Sequence, residues 1–206
     1  RPFDAHPVRS EFFPQRHGTR TASIITREAP QTRLVPYRYP RPDMQRMEDL
    51  ISHAAAAGVR VVNMSLGSNR ESQWTAFEYA ALRHPELLFV VSAGNNSRNI
   101  DLEPVYPAVL PLENMLVVSS VASDGYPAEG ANWGKESVDL LVPGEHIAAL
   151  NFLGETVEVS GSSYAAARVT ALAARILLST PDLTAAELRD EILSLAQPAP
   201  GNFDRH

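Results

Sequence analysis

Three short segments of the chain combine a potential base, an amide donor and a potential nucleophile. They are HGT at 17–19, SAGNN at 92–96 and GSSYAAA at 161–167. A serine hydroxyl becomes a nucleophile when a neighbouring base such as histidine removes its proton. The oxyanion formed by its attack needs donors already in place, which an amide side chain and backbone N–H groups can provide. His17, Asn95 and Ser163 are therefore candidates for acyl transfer.

Each of these segments also has a structural explanation. A His-Gly pair before a helix is typical of a turn, an Asn after Gly is a common turn residue, and a Ser-Ser pair before a helix is a common N-cap. What favours chemistry is their occurrence together, each at the end of a predicted helix or strand. Ser163 would also lie at a helix N-terminus, where free N–H groups and the dipole favour negative charge.

The composition is that of one ordinary globular domain. The chain has 206 residues, of which 44% are hydrophobic and 20% charged, and we treat 1–206 as a single domain. The net charge of −6, with both signs interspersed, excludes a basic surface for nucleic acid. The absence of cysteine excludes disulfides and thiolate chemistry. No apolar run approaches the ~20 residues that span a bilayer. Because the chain begins at Arg1 and not at Met, we expect that the true N-terminus lies elsewhere or was removed.

Helical patterns alternate with short apolar runs along the chain. Predicted helices run from near Thr19 to Pro30 and over 44–57, 74–83, 163–178 and 185–196. Predicted strands cover 59–64, 87–91, 115–121, 138–142 and 156–159, with a further edge strand at 33–39. The run VRVVNM at 59–64 is expected to be buried on both faces. This alternation predicts a three-layer α/β/α fold around a mostly parallel sheet, with its active site where the strands end.

Five segments resemble landmark segments of the subtilisin-like serine proteases, the subtilases. They are HGT at 17–19, SLG at 65–67, SAGN at 92–95, YPA at 106–108 and GSSYAAARV at 161–169. They occur in the family's order, and the resemblance extends from about residue 15 to residue 197. It implies a subtilisin-like fold and hydrolysis of internal peptide bonds through an acyl-enzyme.

The resemblance also implies a role for each candidate residue. His17 would act as general base and then general acid, Ser163 as nucleophile, and Asn95 as an oxyanion donor beside the Ser163 backbone N–H. Ser65, Leu66 and Gly67 would bind the main chain of a polypeptide substrate as an added strand. Secretion or a periplasmic location is the family's habit and is the favoured expectation. No carboxylate cluster has readable ligand spacing, so we predict no metal and no cofactor.

The family's catalytic aspartate has no counterpart in this sequence. It follows the first strand of the sheet, but only sixteen residues precede His17, and Asp4 has no strand before it. Asp124 is predicted to lie in a surface turn. We expect the domain to be N-terminally incomplete, with the aspartate on a missing segment or on a separate polypeptide. The alternative is a catalytically impaired or inactive module that binds peptides.

Two other classes of protein are less consistent with the sequence. GSSYA at 161–165 loosely resembles the Gly-x-Ser-x-Gly elbow of α/β-hydrolases, which would make the chain an esterase. Those enzymes place their histidine after the serine, and here the only later histidine is His206. A nucleotide-binding domain is disfavoured because no phosphate-binding glycine pattern follows a strand.

Overall fold

Parallel strands with helices on both faces form the part of the protein that the computed structural model describes, residues 16–40 and 43–197. The strands are β1 (Val61–Met64), β2 (Leu88–Ser92), β3 (Met115–Ser120), β4 (Leu140–Val142), β5 (Ile147–Leu150) and β6 (Thr156–Val159). The helices are α1 (His17–Glu28), α2 (Met47–Ala56), α3 (Thr75–Arg83), α4 (Ser162–Ser179) and α5 (Ala185–Ser194), with short 3-10 helices at Met44–Arg46 and Glu71–Gln73.

The main sheet has the order β1-β2-β3-β4, and all of its strands are parallel. Its central strands β2 and β3 are buried along their whole length. Successive side chains of a strand point to opposite faces, so Phe89 and Val91 pack on the layer of α2 and α3. Leu88 and Val90 pack on the layer of α4 and α5. The predicted three-layer architecture is therefore present.

Strand β1 differs from its prediction in burial. Val61, Val62 and Asn63 are only half-buried, and Met64 alone is buried. The reason is its position, since β1 is an edge strand of the sheet formed by the described residues. An apolar sequence predicts that a segment can be buried, but the neighbours decide whether it is.

The predicted edge strand at 33–39 is not a strand. Pro36 has no N–H to donate to a strand partner, which weakens any ladder there. The segment packs on α2 instead, where the Tyr37 hydroxyl lies 2.8 Å from Nδ1 of His53.

A second, antiparallel sheet is formed by β5 and β6, and it holds α1 in place. The sequence predicted β6 but not β5, whose Ile-Ala-Ala-Leu run carries little strand signal by itself. The backbone N–H of Leu150 in β5 donates to Ser23 Oγ in α1 at 2.9 Å. Helix α1 also packs on α4 through a small core that contains Ile24, Ile25 and Tyr164. The N-terminus of α1 is thereby held near the N-terminus of α4.

Helix α4 runs close beneath the main sheet because its first turns are made of small residues. Ala165 and Ala166 are completely buried and pack against the sheet, while Ala167 is buried on the side of α1. The helix begins at Ser162, one residue earlier than predicted, after Gly161 with φ of 131°. Such a positive φ suits glycine, which has no Cβ to clash with the backbone.

Candidate active site

The structure brings the candidate residues of β1, β2 and α4 to one edge of the main sheet. Ser65 follows β1, Asn95 follows β2, and Ser163 lies in the first turn of α4. Ser65 Oγ donates to the backbone carbonyl of Ser163 at 2.9 Å. The backbone N–H of Ser162 donates to Oδ1 of Asn95, also at 2.9 Å. These contacts follow from the parallel sheet, whose strands all end at the same edge.

Two hydrogen bonds fix the Asn95 loop on the start of α4. One is the bond from Ser162 N–H to Asn95 Oδ1, and the other runs from Gly94 N–H to Ser162 Oγ at 3.2 Å. Because Oδ1 is engaged, the amide is oriented and its Nδ2 group faces away from that bond. Asn95 is exposed, and no described residue accepts a hydrogen bond from Nδ2.

Gly161 permits this close approach. A Cβ atom at position 161 would lie 3.1 Å from Oδ1 and 3.2 Å from Nδ2 of Asn95. Any larger residue would therefore press on the amide, in addition to being strained at this φ.

The backbone N–H and the hydroxyl of Ser163 make no hydrogen bond to any described residue. It is the second residue of α4, so its N–H has no intrahelical acceptor, and none is supplied from elsewhere. Its hydroxyl likewise has no described partner, and the residue is largely buried, with 9% of its surface exposed. A donor and a hydroxyl at a helix N-terminus are suited to an attacking oxygen and a developing negative charge.

The Ser65 hydroxyl is committed to structure. Asn63 Nδ2 donates to Ser65 Oγ at 3.0 Å, and Thr170 of α4 donates to Asn63 Oδ1 at 3.0 Å. With the bond from Ser65 to Ser163, this chain ties the end of β1 to α4. The Ser65 hydroxyl is therefore already engaged, and a substrate along 65–67 would bind through the main chain of this segment.

The rest of that segment is open on one side. Leu66 is half-buried and Gly67 is exposed. A Cβ at Gly67 would lie 2.9 Å from the carbonyl oxygen of Tyr106. Tyr106 and the next residue of the segment, Ser68, each donate a backbone hydrogen bond to the other. The YPA segment therefore borders the predicted substrate segment.

His17 opens α1 and lies beside Tyr164, the residue after Ser163. The two rings are 5.9 Å apart between centroids and inclined by 45°. The imidazole makes no hydrogen bond to the Ser163 hydroxyl in this structure. Bonds of this kind are often long in the absence of substrate and shorten during the reaction.

Two effects lower the pKa of His17 below its usual 6.5. The larger is desolvation, because neighbouring protein atoms displace part of the ring's hydration although the residue reaches the surface, and the other is the positive charge of Arg20. Both disfavour the imidazolium, so His17 is neutral and able to accept a proton at neutral pH. No carboxylate of the described residues is bonded to the ring. The candidate Asp4 lies outside those residues, and Asp124 binds the Tyr126 N–H within its own turn.

A second serine and histidine pair, which the sequence did not reveal, lies elsewhere. Ser52 Oγ is 3.1 Å from Nε2 of His84, whose Nδ1 is 2.9 Å from a carboxylate oxygen of Glu86. Ser52 is in the middle of α2, where backbone N–H groups are used within the helix. Its neighbouring backbone donors are thus already engaged, so Ser52 provides a control for Ser163.

Comparison with known families identifies the family of the chain. The sequence model of the subtilase family matches residues 6–206. The chain belongs to the subtilase family. The esterase alternative depends on His206, which lies outside the described residues.

Related proteins give the same assignment. Over 124 residues the subtilase chain is 35% identical to subtilisin-like protease 6 of Trichophyton tonsurans and 36% identical to that of Trichophyton schoenleinii. The matched region is 60% of this chain but 29% of either relative. The match thus covers less than a third of the length of these curated relatives.

Solved structures confirm the fold. A cold-adapted subtilisin-like serine proteinase superposes with a TM-score of 0.73 at 25% identity, over 88% of this chain and 68% of that one. The S218A mutant of the protease domain of PatA superposes with a TM-score of 0.69 at 26% identity, over 88% and 73%. The predicted subtilisin-like three-layer fold is confirmed.

Two remaining observations bear on cofactors and membranes. Within 16–40 and 43–197, no three histidine or acidic side chains lie together in a way that could hold a metal ion. In the same ranges no helix is both long and apolar enough to cross a bilayer. The absence of a metal stays a prediction.

Proposed function

We propose that this chain provides the base, nucleophile and oxyanion donors of a serine endopeptidase. The observation that carries the proposal is the placement of the Asn95 amide on the first turn of α4. Its Oδ1 is held by Ser162 N–H, while its Nδ2 and the Ser163 N–H both remain available. Two such donors beside one serine hydroxyl match the requirements of an oxyanion hole.

In the proposed reaction, His17 accepts a proton and then returns it, once in acylation and once in deacylation. Ser163 Oγ attacks the peptide carbonyl carbon as the imidazole takes the hydroxyl proton, and the carbonyl oxygen becomes an oxyanion bound by Asn95 Nδ2 and Ser163 N–H. The C–N bond then breaks, and the leaving amine receives the proton from His17. Water repeats the sequence on the ester, releasing the acid and restoring Ser163. The lowered pKa of His17 favours the first transfer, because the free base is the form needed.

The proposed substrate is a polypeptide bound along 65–67. This segment continues from the edge strand β1, and its outer side is not paired with any described residue. An extended peptide can bond to such an edge through its main chain. Gly67 is exposed, and its backbone N–H and carbonyl have no described partner.

A carboxylate for His17 is proposed to come from a strand beside β1. A parallel strand at that edge would end at the same edge of the sheet as Ser65 and Asn95. It would also cover the half-buried residues Val61 and Val62, an edge that proteins ordinarily protect. Without the carboxylate, the proposed endopeptidase would lose orders of magnitude in rate.

Because no carboxylate in the described part of the chain is bonded to His17, one second candidate is a peptide-binding module. In that case peptides would bind along 65–67 without being cleaved. The two functions differ in whether Ser163 is chemically reactive.

The test is covalent labelling with a fluorophosphonate, followed by intact-mass measurement. The wild-type chain should gain one adduct, Ser163→Ala should gain none, and Ser52→Ala should behave as wild type. An adduct that persists in Ser163→Ala and disappears in Ser52→Ala would contradict the assignment. A folded wild-type chain that binds peptide but gains no adduct would support the binding module.

A further inference from the structure

Asn132 is a completely buried asparagine that has no part in the proposed chemistry. It lies in the segment between β3 and β4, and its side chain contacts the loop that carries Asn95. Its Nδ2 donates to the carbonyl of Ala93 at 2.8 Å, and its Oδ1 accepts from the N–H of Asn96 at 2.8 Å. One amide group therefore fixes the backbone on both sides of Asn95.

Further contacts strengthen this attachment. The backbone N–H of Asn132 donates to the carbonyl of Gly94 at 3.0 Å, and its carbonyl accepts from Ser119 Oγ in β3. Its Oδ1 also accepts from the N–H of Arg98 at 3.3 Å. The Asn95 loop is thus bonded to Asn132 at four of its residues, and Asn132 is bonded to the central sheet.

Gly94 is shaped to this contact. Its φ is 100°, and a Cβ there would lie 2.6 Å from Nδ2 of Asn132, a separation that real Cβ atoms essentially never show. Asparagine is suited to the opposite side because its neutral amide both donates and accepts. An aspartate would keep the acceptor, lose the donor to Ala93 and bury a charge.

We propose that Asn132 is a positioning residue that sets the Asn95 amide for oxyanion binding. This inference rests on the proposed role of Asn95. Asn132 does not touch the substrate and acts through the backbone of 93–96. Because backbone donors and acceptors on both sides of Asn95 are fixed, its side chain meets Ser162 N–H without a search over loop conformations. Such preorganisation is what makes oxyanion donors effective.

The chain offers a matched control in Asn114. It is also buried, and its Nδ2 donates to the backbone carbonyls of Ala81, His84 and Leu87 at 3.1 Å each. These carbonyls lie at the end of α3 and before β2, away from the Asn95 loop. Loss of this amide should reduce stability and leave Ser163 unaffected.

The experiment compares Asn132→Ala, Asn132→Asp and Asn114→Ala by the rate of fluorophosphonate labelling of the folded fraction. Both Asn132 variants should react about ten to a hundred times more slowly than wild type, as expected for a misplaced catalytic group. Asn114→Ala should react at the wild-type rate. Equal rates in Asn132→Ala and Asn114→Ala would overturn the inference.

A double-mutant cycle separates this inference from the proposed function. Asn95→Ala alone should lower the rate by about two to three powers of ten, the loss known for the oxyanion asparagine of subtilisin. Adding Asn132→Ala to Asn95→Ala should change the rate by less than about twofold, because both act through one amide. Multiplying effects would overturn the positioning role, whereas no effect of Asn95→Ala would overturn the oxyanion role itself.

Hydrogen exchange gives a readout that needs no reactivity. The Ser162 N–H should exchange faster in Asn132→Ala, because its acceptor Asn95 Oδ1 is no longer held. It should stay protected in Asn114→Ala. Unchanged protection of Ser162 in Asn132→Ala would also overturn the inference.

Discussion

At the scale of single residues, some polar groups of the site are engaged in hydrogen bonds that hold the fold, and others have no described partner. Ser65 Oγ and Asn95 Oδ1 are engaged in bonds to α4, whereas Asn95 Nδ2 and both polar groups of Ser163 have no described partner. His17 is kept neutral by desolvation and by Arg20. Hydrogen-bond commitments therefore distinguish residues that support the site from those available for chemistry.

Replacing Arg20 with glutamine should raise the pKa of His17. Removing a positive charge favours the imidazolium, so the acidic limb of the pH dependence of Ser163 labelling should move to higher pH. The desolvation effect remains, since the ring keeps its surroundings. The pKa is measured from the His17 ring proton by NMR.

Arg175→Gln is the matched control. Arg175 is exposed on α4, more than three turns beyond Ser163. It should leave the pKa of His17 unchanged. A pKa that falls in Arg20→Gln would show that Arg20 acts mainly through contacts and not through its charge.

At the scale of helices and strands, each functional residue lies at an element's end, and the element's packing decides where that end lies. Helix α1 is held between α4 and the β5–β6 hairpin, which places His17 beside Tyr164. Gly161 lets α4 begin against the Asn95 amide. Helix α5, by contrast, supports the layer beneath the sheet and contributes nothing to this edge.

Thr184→Ala should therefore destabilise the fold without affecting the site. Thr184 and Glu187 form a capping box at the start of α5, with hydrogen bonds in both directions. Losing the cap should lower the free energy of unfolding by about 1 kcal/mol. Urea denaturation measures this change, and labelling of the folded fraction should be unaltered.

Thr26→Ala provides the comparison. The exposed Thr26 hydroxyl bonds only to carbonyls of its own helix. Its loss should change the unfolding free energy by less than about 0.5 kcal/mol. A comparable loss in both variants would show that the capping box adds nothing specific.

At the scale of the whole molecule, protection by neighbours is uneven across the sheet. Strands β2 and β3 have a partner on each side and helices on both faces, whereas β1 has one described partner and a half-buried surface. The open edge lies beside the proposed peptide segment and the proposed position of a carboxylate for His17. An added strand at this edge would give β1 a partner on its second side.

Native-state hydrogen exchange should reflect this difference. Backbone amides of 88–92 and 115–120 should exchange most slowly, and those of 61–64 faster, because central strands open only with the whole domain. Exchange is followed by NMR or mass spectrometry. Equally slow exchange in β1 would show that its edge is covered in solution.

Much of this molecule was predictable because the signals were local. The strands at 115–120 and 156–159 and the helix at 75–83 match their predicted positions within a few residues, since apolar periodicity and breaker residues lie within each element. The prediction for the segment around Pro36 was wrong. The strand-like run at 33–39 predicted an edge strand, but no strand of the described residues pairs with it.

The sequence alone determined the subtilase family and the candidates His17, Asn95 and Ser163, because these depend on short motifs and their order. The family is confirmed, and the roles of the three residues stay proposals. Only the tertiary structure decided that β1 lies at an edge, that Asn95 Oδ1 is held by Ser162, and that Asn132 bonds both sides of Asn95. Each of these facts depends on how residues far apart in the chain pair or contact one another. No local pattern encodes which donor meets which acceptor once the strands have paired.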